Sequence, residues 1–148
     1  MKAGQFAKPY PTISASAPAE EAGRLLAGEH VDVLLVHDDA GLPLGALHDI
    51  GLLKALLPSY LLEDRALARL LGDGDADELW SRLNDKTVGD LLDPKANPLP
   101  SCPDDATLVQ VAAEMCASGA SLIAVVDGDR IIGGITSSAL ITELLGNR

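Results

Sequence analysis

The chain repeats itself, and the repeat restricts the fold more than any single motif does. Moved along by 89 positions, "KPYPTIS" falls on "NPLPSCP", so Pro9 meets Pro98, Pro11 meets Pro100 and Thr12 meets Ser101. At the same offset Ala19, Ala22 and Leu26 fall on Leu108, Val111 and Met115, with the i, i+3, i+7 spacing that one helix face requires. Pro18 with Glu20 and Glu21, and Pro103 with Asp104 and Asp105, set φ and negative charge where a helix N-terminus favours them. Both copies are therefore expected to open this helix alike. Still at this offset the apolar run in "DVLLV" meets that in "LIAVV", with Leu34 on Ile123 and Val36 on Val125, and such short apolar runs without alternation suit strands covered on both faces, as in parallel pairing.

The turn that follows loses one residue in the second copy, "HDDAGLP" against "VDGDRI", and Gly45 pairs with Gly133 at an offset of 88. Hairpin loops tolerate that change. "LGALHDIGLLKALL" finally meets "IGGITSSALITELL", a strand end followed by a helix. Its apolar positions are Leu52, Leu53, Leu56 and Leu57 in one copy and Leu140, Ile141, Leu144 and Leu145 in the other. Each copy reads strand, helix, strand, hairpin, strand, helix.

A unit of about 50 residues buries too little surface to be comfortable alone, so the copies are expected to pack face to face about a pseudo-twofold axis, with a cleft between their sheets. The expected class is α/β (α+β): a first repeat over 1–58, a helical insert over 59–86 and a second repeat over 87–148. In the insert, Leu62, Ala66 and Leu70 mark one helical face and Leu79 and Leu83 another, separated by the acidic turn "GDGDAD". That turn lacks the spacing of a calcium loop. Trp80, the sole tryptophan, is expected to pack on its own module. Thr87 and Asp90, in "TVGDLL", have capping-box spacing and announce a short helix leading into the second copy.

The formal net charge of −11 repels a phosphate backbone, which argues against nucleic acid as a partner. No apolar run is long enough for a membrane span and the first residues lack a signal-peptide core, so the expected compartment is cytoplasmic. Cys102 and Cys116 form no CxxC pair, so neither zinc nor a redox dithiol is indicated. Cys116 reads as a core position on a helical face and Cys102 as a loop residue.

The proline-rich lead-in, the helix beginning "EEA", the apolar strand ending in Val-Val-Asp, the apolar-Gly-x-x-[Thr/Ser] stretch and the closing helix together resemble the CBS (cystathionine beta-synthase) domain family. Two copies in register resemble its tandem arrangement, the Bateman module. The resemblance implies regulation rather than catalysis: a homodimer with an adenosine nucleotide or related adenosyl ligand (AMP, ADP, ATP or S-adenosylmethionine) in the cleft between repeats. It implies adenine against strand and lead-in backbone, here at Leu35, Ala124, Val125 and Ser101, with the sugar and phosphates at a T-x-x-D pattern. The matching positions are Thr136 and Ala139 in the second copy and His48 and Gly51 in the first, so neither copy keeps the aspartate. The loss of a charged acceptor for ribose hydroxyls, roughly 1.5–3 kcal/mol, weakens a nucleotide about tenfold to a hundredfold.

Thr136, Ser137 and Ser138 stand where a helix N-terminus would suit an anion, and the same hydroxyls equally suit a plain N-cap. His48 and Asp49 pose the same choice in the first copy, with Asp49 favoured as the cap. Two further readings follow. In one, a degenerate pair serves only as a dimerisation or docking scaffold, with a protein partner at the 59–86 insert. In the other, His30, His37, His48 and the nearby aspartates hold a catalytic metal, although no HxH or HExxH spacing fixes two ligands on one face.

Overall fold

A computed structural model of the chain describes residues 1–72, 76–93, 95 and 98–146. Residues 73–75, the middle of the acidic turn "GDGDAD" of the insert, lie outside the described residues. The first repeat contains β1 (Thr12–Ser14), α2 (Ala19–Glu29), β2 (Val33–His37), β3 (Pro43–His48) and α3 (Asp49–Leu56), preceded by the single turn α1 (Ala3–Phe6). The second contains β4 (Ser101–Pro103), α6 (Leu108–Ser118), β5 (Leu122–Asp127), β6 (Arg130–Thr136) and α7 (Ser137–Gly146). In each sheet the central strand pairs parallel with the strand before it and antiparallel with the strand after it. Even the irregularity is duplicated: the register slips between Val36 and His37 in one sheet and between Val125 and Val126 in the other.

The apolar runs are central strands with both faces covered. Leu34 and Val36 face the helices of the first repeat, while Val33 and Leu35 face the other sheet. Ile123 and Val125 likewise join the second helical core, and Leu122 and Ala124 meet Val33, Leu35 and Ala46 across the interface. Three apolar layers result, one under each set of helices and one between the sheets.

Packing crosses the divisions drawn along the sequence at 58 and 87. The Ala3 and Gly4 N–H groups donate to the Ala106 and Asp104 carbonyls of the second repeat, each at 2.8 Å. The Val88 and Gly89 N–H groups donate to the Ala17 and Ala15 carbonyls of the first, each at 2.9 Å. These acceptors are equivalent at the 89-residue offset, so "KAGQFA" and "TVGDLL" are counterparts and each docks on the repeat that it does not lead into. The expected capping box is present, with Thr87 N–H donating to Asp90 at 2.9 Å ahead of the 3-10 turn Val88–Leu91. Lys2 N–H donates to Gln5 Oε1 in the same way at 2.9 Å. Close approach excludes a side chain at Gly4 unless its neighbours shift, since a Cβ there would lie 2.9 Å from Asp104 Cβ, and it favours glycine at Gly89, where a Cβ would lie 3.2 Å from the Ala15 carbonyl oxygen.

Several expectations are corrected. The second long helix does not open at Pro103, which is the last residue of β4. It opens at Leu108, capped by Thr107, whose Oγ1 accepts from Gln110 N–H at 3.1 Å. The cysteines exchange roles. Cys102 is buried in the second core, where Ile13 stands in the first, while Cys116 is exposed. Burial, reinforced by Glu114, pushes the Cys102 thiol up to about 11. The insert is also more broken than its periodicity suggests: α4 (Ser59–Glu63), a 3-10 turn (Arg65–Leu70) and α5 (Ala76–Ser81). Leu62, Ala66 and Leu70 are exposed, and Leu61 is buried instead. Leu83 joins the first core, and the half-exposed Trp80 ring covers Gly23 of α2. In the closing helices only Leu52, Leu56 and Leu140 are buried; Leu53, Ile141, Leu144 and Leu145 face outward. Among the described residues no helix is long and apolar enough to cross a membrane.

Candidate functional site

The glycine pair explains the ground on which the hydroxyls stand. Lys8 and Gly134 exchange backbone hydrogen bonds at 3.3 and 3.0 Å, which places the N-terminal lead-in beside β6. A Cβ on Gly133 would lie 2.6 Å from the Lys8 carbonyl oxygen, and one on Gly134 would press on Tyr10 at 3.2 Å. Tyr10 is thereby held against the second repeat. Its hydroxyl donates to the Val33 carbonyl of the first at 2.6 Å, so this one side chain joins the two repeats. Burial and then the Asp32 carboxylate hold the phenol pKa above its ordinary value.

Thr136 ends β6 beyond this junction, with Ser137 opening α7. The Thr136 hydroxyl accepts from Ala139 N–H at 3.1 Å and lies 3.3 Å from the Ser138 hydroxyl. The capping role is therefore real, and it leaves Ser137 and Ser138 facing outward from the helix start. Two cavities flank this point. The larger, about 410 Å³, is lined by the apolar Phe6, Pro9 and Ile135 and by the polar Lys8, Thr142 and Glu143. The smaller, about 380 Å³, lies between the repeats: Thr136, Ser137, Ser138 and Ser121 line it from the second repeat, with Ser137 N–H donating to the Ser121 carbonyl at 2.9 Å, and His30 and Asp32 line it from the first. Tyr10 and Thr136 line both.

The remaining candidates lie elsewhere. Leu35, Ala124 and Val125 are fully buried, so their side chains belong to the cores. Ser101 lines a separate cavity with Gln110 and Glu114. His48 and Asp49 line neither of the two cavities beside Thr136. Asp49 is not the expected cap. It is the first residue of α3, with its Oδ1 bonded to Ile50 N–H at 2.7 Å, and the cap position is His48, whose side chain makes no capping bond. The three histidines are dispersed: His30 at the end of α2, His37 beside the hairpin with Nδ1 2.8 Å from the Asp38 carbonyl, and His48 at the end of β3. Among the described residues no three His, Cys, Asp or Glu side chains gather to hold a metal.

Tyr10 is not among the candidates the sequence offers, and His30 and Asp32 are candidates there only for a metal, not for an adenosyl ligand. A signal for them exists in the repeat: at the offset of 89 they stand opposite Leu99, Gly119 and Ser121. Polar or aromatic residues that break an otherwise matched pair are candidates for a role peculiar to one copy.

Two small mixed sheets, three apolar layers and a polar cleft at the strand-to-helix junction define a tandem CBS pair. A family model, the CBS domain, matches residues 3–58. The crystal structure of a CBS domain-containing protein of unknown function from Kribbella flavida shares 34% identity over 98% of this chain and 99% of that one, with a TM-score of 0.90. The chain belongs to the CBS-domain family. CBSX2 from Arabidopsis thaliana, solved in complex with AMP, is 23% identical over 99% of this chain and 97% of that one, with a TM-score of 0.69. A CBS domain pair solved with 5′-methylthioadenosine and S-adenosyl-L-methionine is 18% identical over 100% and 98% of the two chains, with a TM-score of 0.68. No curated protein matches the chain.

Proposed function

We propose that the protein is a non-enzymatic, cytoplasmic regulator that binds an adenosine nucleotide or related adenosyl ligand between its repeats and transmits occupancy through their relative setting. The observation that carries this reading is the pair of adjoining cavities around Thr136. One has an apolar wall suited to a base, and the other has a wall of three hydroxyls suited to a sugar or its substituents. A ligand spanning both touches Tyr10 and Thr136 at the junction. It would favour one setting of the two repeats only by its differential affinity for that setting. AMP and S-adenosylmethionine complexes of CBS pairs support this ligand class.

Dimerisation is part of the same reading. Ile50 and Leu53 on α3 and Ile141, Leu144 and Leu145 on α7 are about half exposed or more. These apolar positions on equivalent helices suit a second copy. Tyr60, Leu62 and Leu70 give the insert an exposed apolar surface for a protein partner.

The scaffold reading has one observation in its favour: Thr136 already has a structural task in capping α7, and Ala139 and Gly51 offer no carboxylate. Calorimetry with AMP, ADP, ATP and S-adenosylmethionine separates the two. Ligand sensing predicts saturable heat with at least one of them, reduced about tenfold or more in affinity by Ser138→Ala, which leaves the cap in place. No heat and no thermal shift at millimolar ligand would rule out sensing of these four ligands under those conditions and favour the scaffold reading.

A further inference from the structure

The smaller cavity carries more information about its ligand than its hydroxyls alone. Among the described residues that line it there is no lysine or arginine, whereas phosphate recognition ordinarily relies on such a cation. It has instead one carboxylate, Asp32, at the position where the other repeat carries Ser121. Lys8 belongs to the neighbouring cavity and shares it with Glu143, so the formal charges there cancel. A phosphate placed against Thr136–Ser138 would share this cavity of about 380 Å³ with the Asp32 carboxylate, and like charges brought into one cleft repel. Like charges so placed select against a partner more effectively than a missing contact does.

We infer that this cleft selects an adenosyl ligand without phosphate, neutral or cationic at its 5′ end, and that Asp32 imposes the choice. The inference rests on the adenosyl reading above. Asp32 also answers the departure at Ala139. A carboxylate facing the hydroxyl wall from the first repeat can accept the ribose hydroxyls that the missing helix aspartate would have taken, and such charge-assisted bonds are the strong kind. Its field reaches the shared wall, because Asp32 contributes to holding the Tyr10 phenol neutral. Asp32 is exposed, so replacing its side chain removes nothing from the buried layer between the sheets.

The test is calorimetry of the full chain with adenosine, 5′-methylthioadenosine, S-adenosylmethionine, AMP and ATP, on the wild type and on Asp32→Asn and Asp32→Ser. Melting curves confirm that each variant is folded. The expected result is that at least one unphosphorylated ligand binds the wild type ten times or more tightly than AMP, and that both variants narrow this ratio at least tenfold. AMP binding as tightly as the unphosphorylated ligands, or an unchanged ratio in both variants, overturns the inference and leaves the adenosyl reading intact. Binding of none of the five overturns that reading and the inference with it.

Discussion

The two repeats share topology, bulge position and exchanged lead-in turns, yet the shared framework carries different surfaces. Leu56 of α3 is buried in the same cluster as Leu83 from the insert, whereas its counterpart Leu144 on α7 is half exposed. The insert therefore covers the first repeat and leaves the equivalent face of the second open. The junction of strand and helix differs in the opposite sense. The first copy presents His48, Asp49 and Ile50, and the second presents Thr136, Ser137 and Ser138 beside a cavity between the repeats. Positions that hold the sheets together have stayed alike, while positions at the cleft have diverged. Function is to be sought where the copies differ.

The sharpest way to break this comparison is at the paired glycines Gly45 and Gly133. A methyl group on Gly133 meets the Lys8 carbonyl oxygen at 2.6 Å, and backbone cannot swing aside as a side chain can. Gly133→Ala should displace the N-terminal lead-in and cost roughly 2–3 kcal/mol through overlap and lost hydrogen bonds. The same change at Gly45 meets only the Leu92 methyls at 3.6 Å, an ordinary contact, and should stay within about 0.5 kcal/mol. Urea unfolding of both variants checks the contrast. Equal effects would mean that the lead-in does not hold the second sheet as described.

The offset of 89 made most of the fold legible, because one helix or strand assigned in either copy fixed its partner. The departures fall where a local signal competes with that offset. Pro103 resembles Pro18 in its acidic neighbours, but the residue at the offset is Thr107, which is the cap that the structure shows. Cys102 lies in a loop-like setting of prolines and aspartates, but it stands opposite Ile13 and shares its burial. The docking of "KAGQFA" was not legible at all. It is related to "TVGDLL" at a different offset, shares little beyond a glycine, and is fixed by long-range backbone bonds to residues 104 and 106. The insert has no second copy to test against, so only periodicity speaks for its faces: Leu83 of the second face does join the first core, whereas Leu61 is buried in place of Leu62, Ala66 and Leu70 of the first face. At the candidate site, the hydroxyls of Thr136–Ser138 are visible in the sequence as neighbours, and the structure places them on one cavity. The opposite wall came from a distant part of the chain and only folding brought it there.

A smaller contrast lies at the two helix starts. Thr136→Ala removes the acceptor for Ala139 N–H and should cost about 1 kcal/mol, as N-cap truncations do. His48→Ala removes no capping bond and should cost only a few tenths. In a chain of this length a 1 kcal/mol change moves the melting temperature by roughly 2–4 °C, within reach of a thermal scan. Equal losses would place a structural role on His48 that its side chain does not show.

The smallest expected effect is the most specific to the cleft. Both long helices end in a left-handed residue, Gly119 at φ 70° in the second repeat and His30 at φ 53° in the first. Glycine adopts that conformation freely, and a side chain there costs on the order of 1 kcal/mol. Gly119→Ala should therefore destabilise by about that amount. His30→Gly relieves the same strain but gives the unfolded chain more freedom, so it should be neutral or stabilising by less than about 1 kcal/mol. A protein selected for stability alone would have glycine at both ends. His30 instead keeps a side chain on the wall of the inter-repeat cavity, opposite the hydroxyls of α7. If His30→Gly raises the melting temperature while weakening an adenosyl ligand, the strained backbone is maintained for binding. If it destabilises the fold by as much as Gly119→Ala, the imidazole is structural, and the functional asymmetry between the two helix ends disappears.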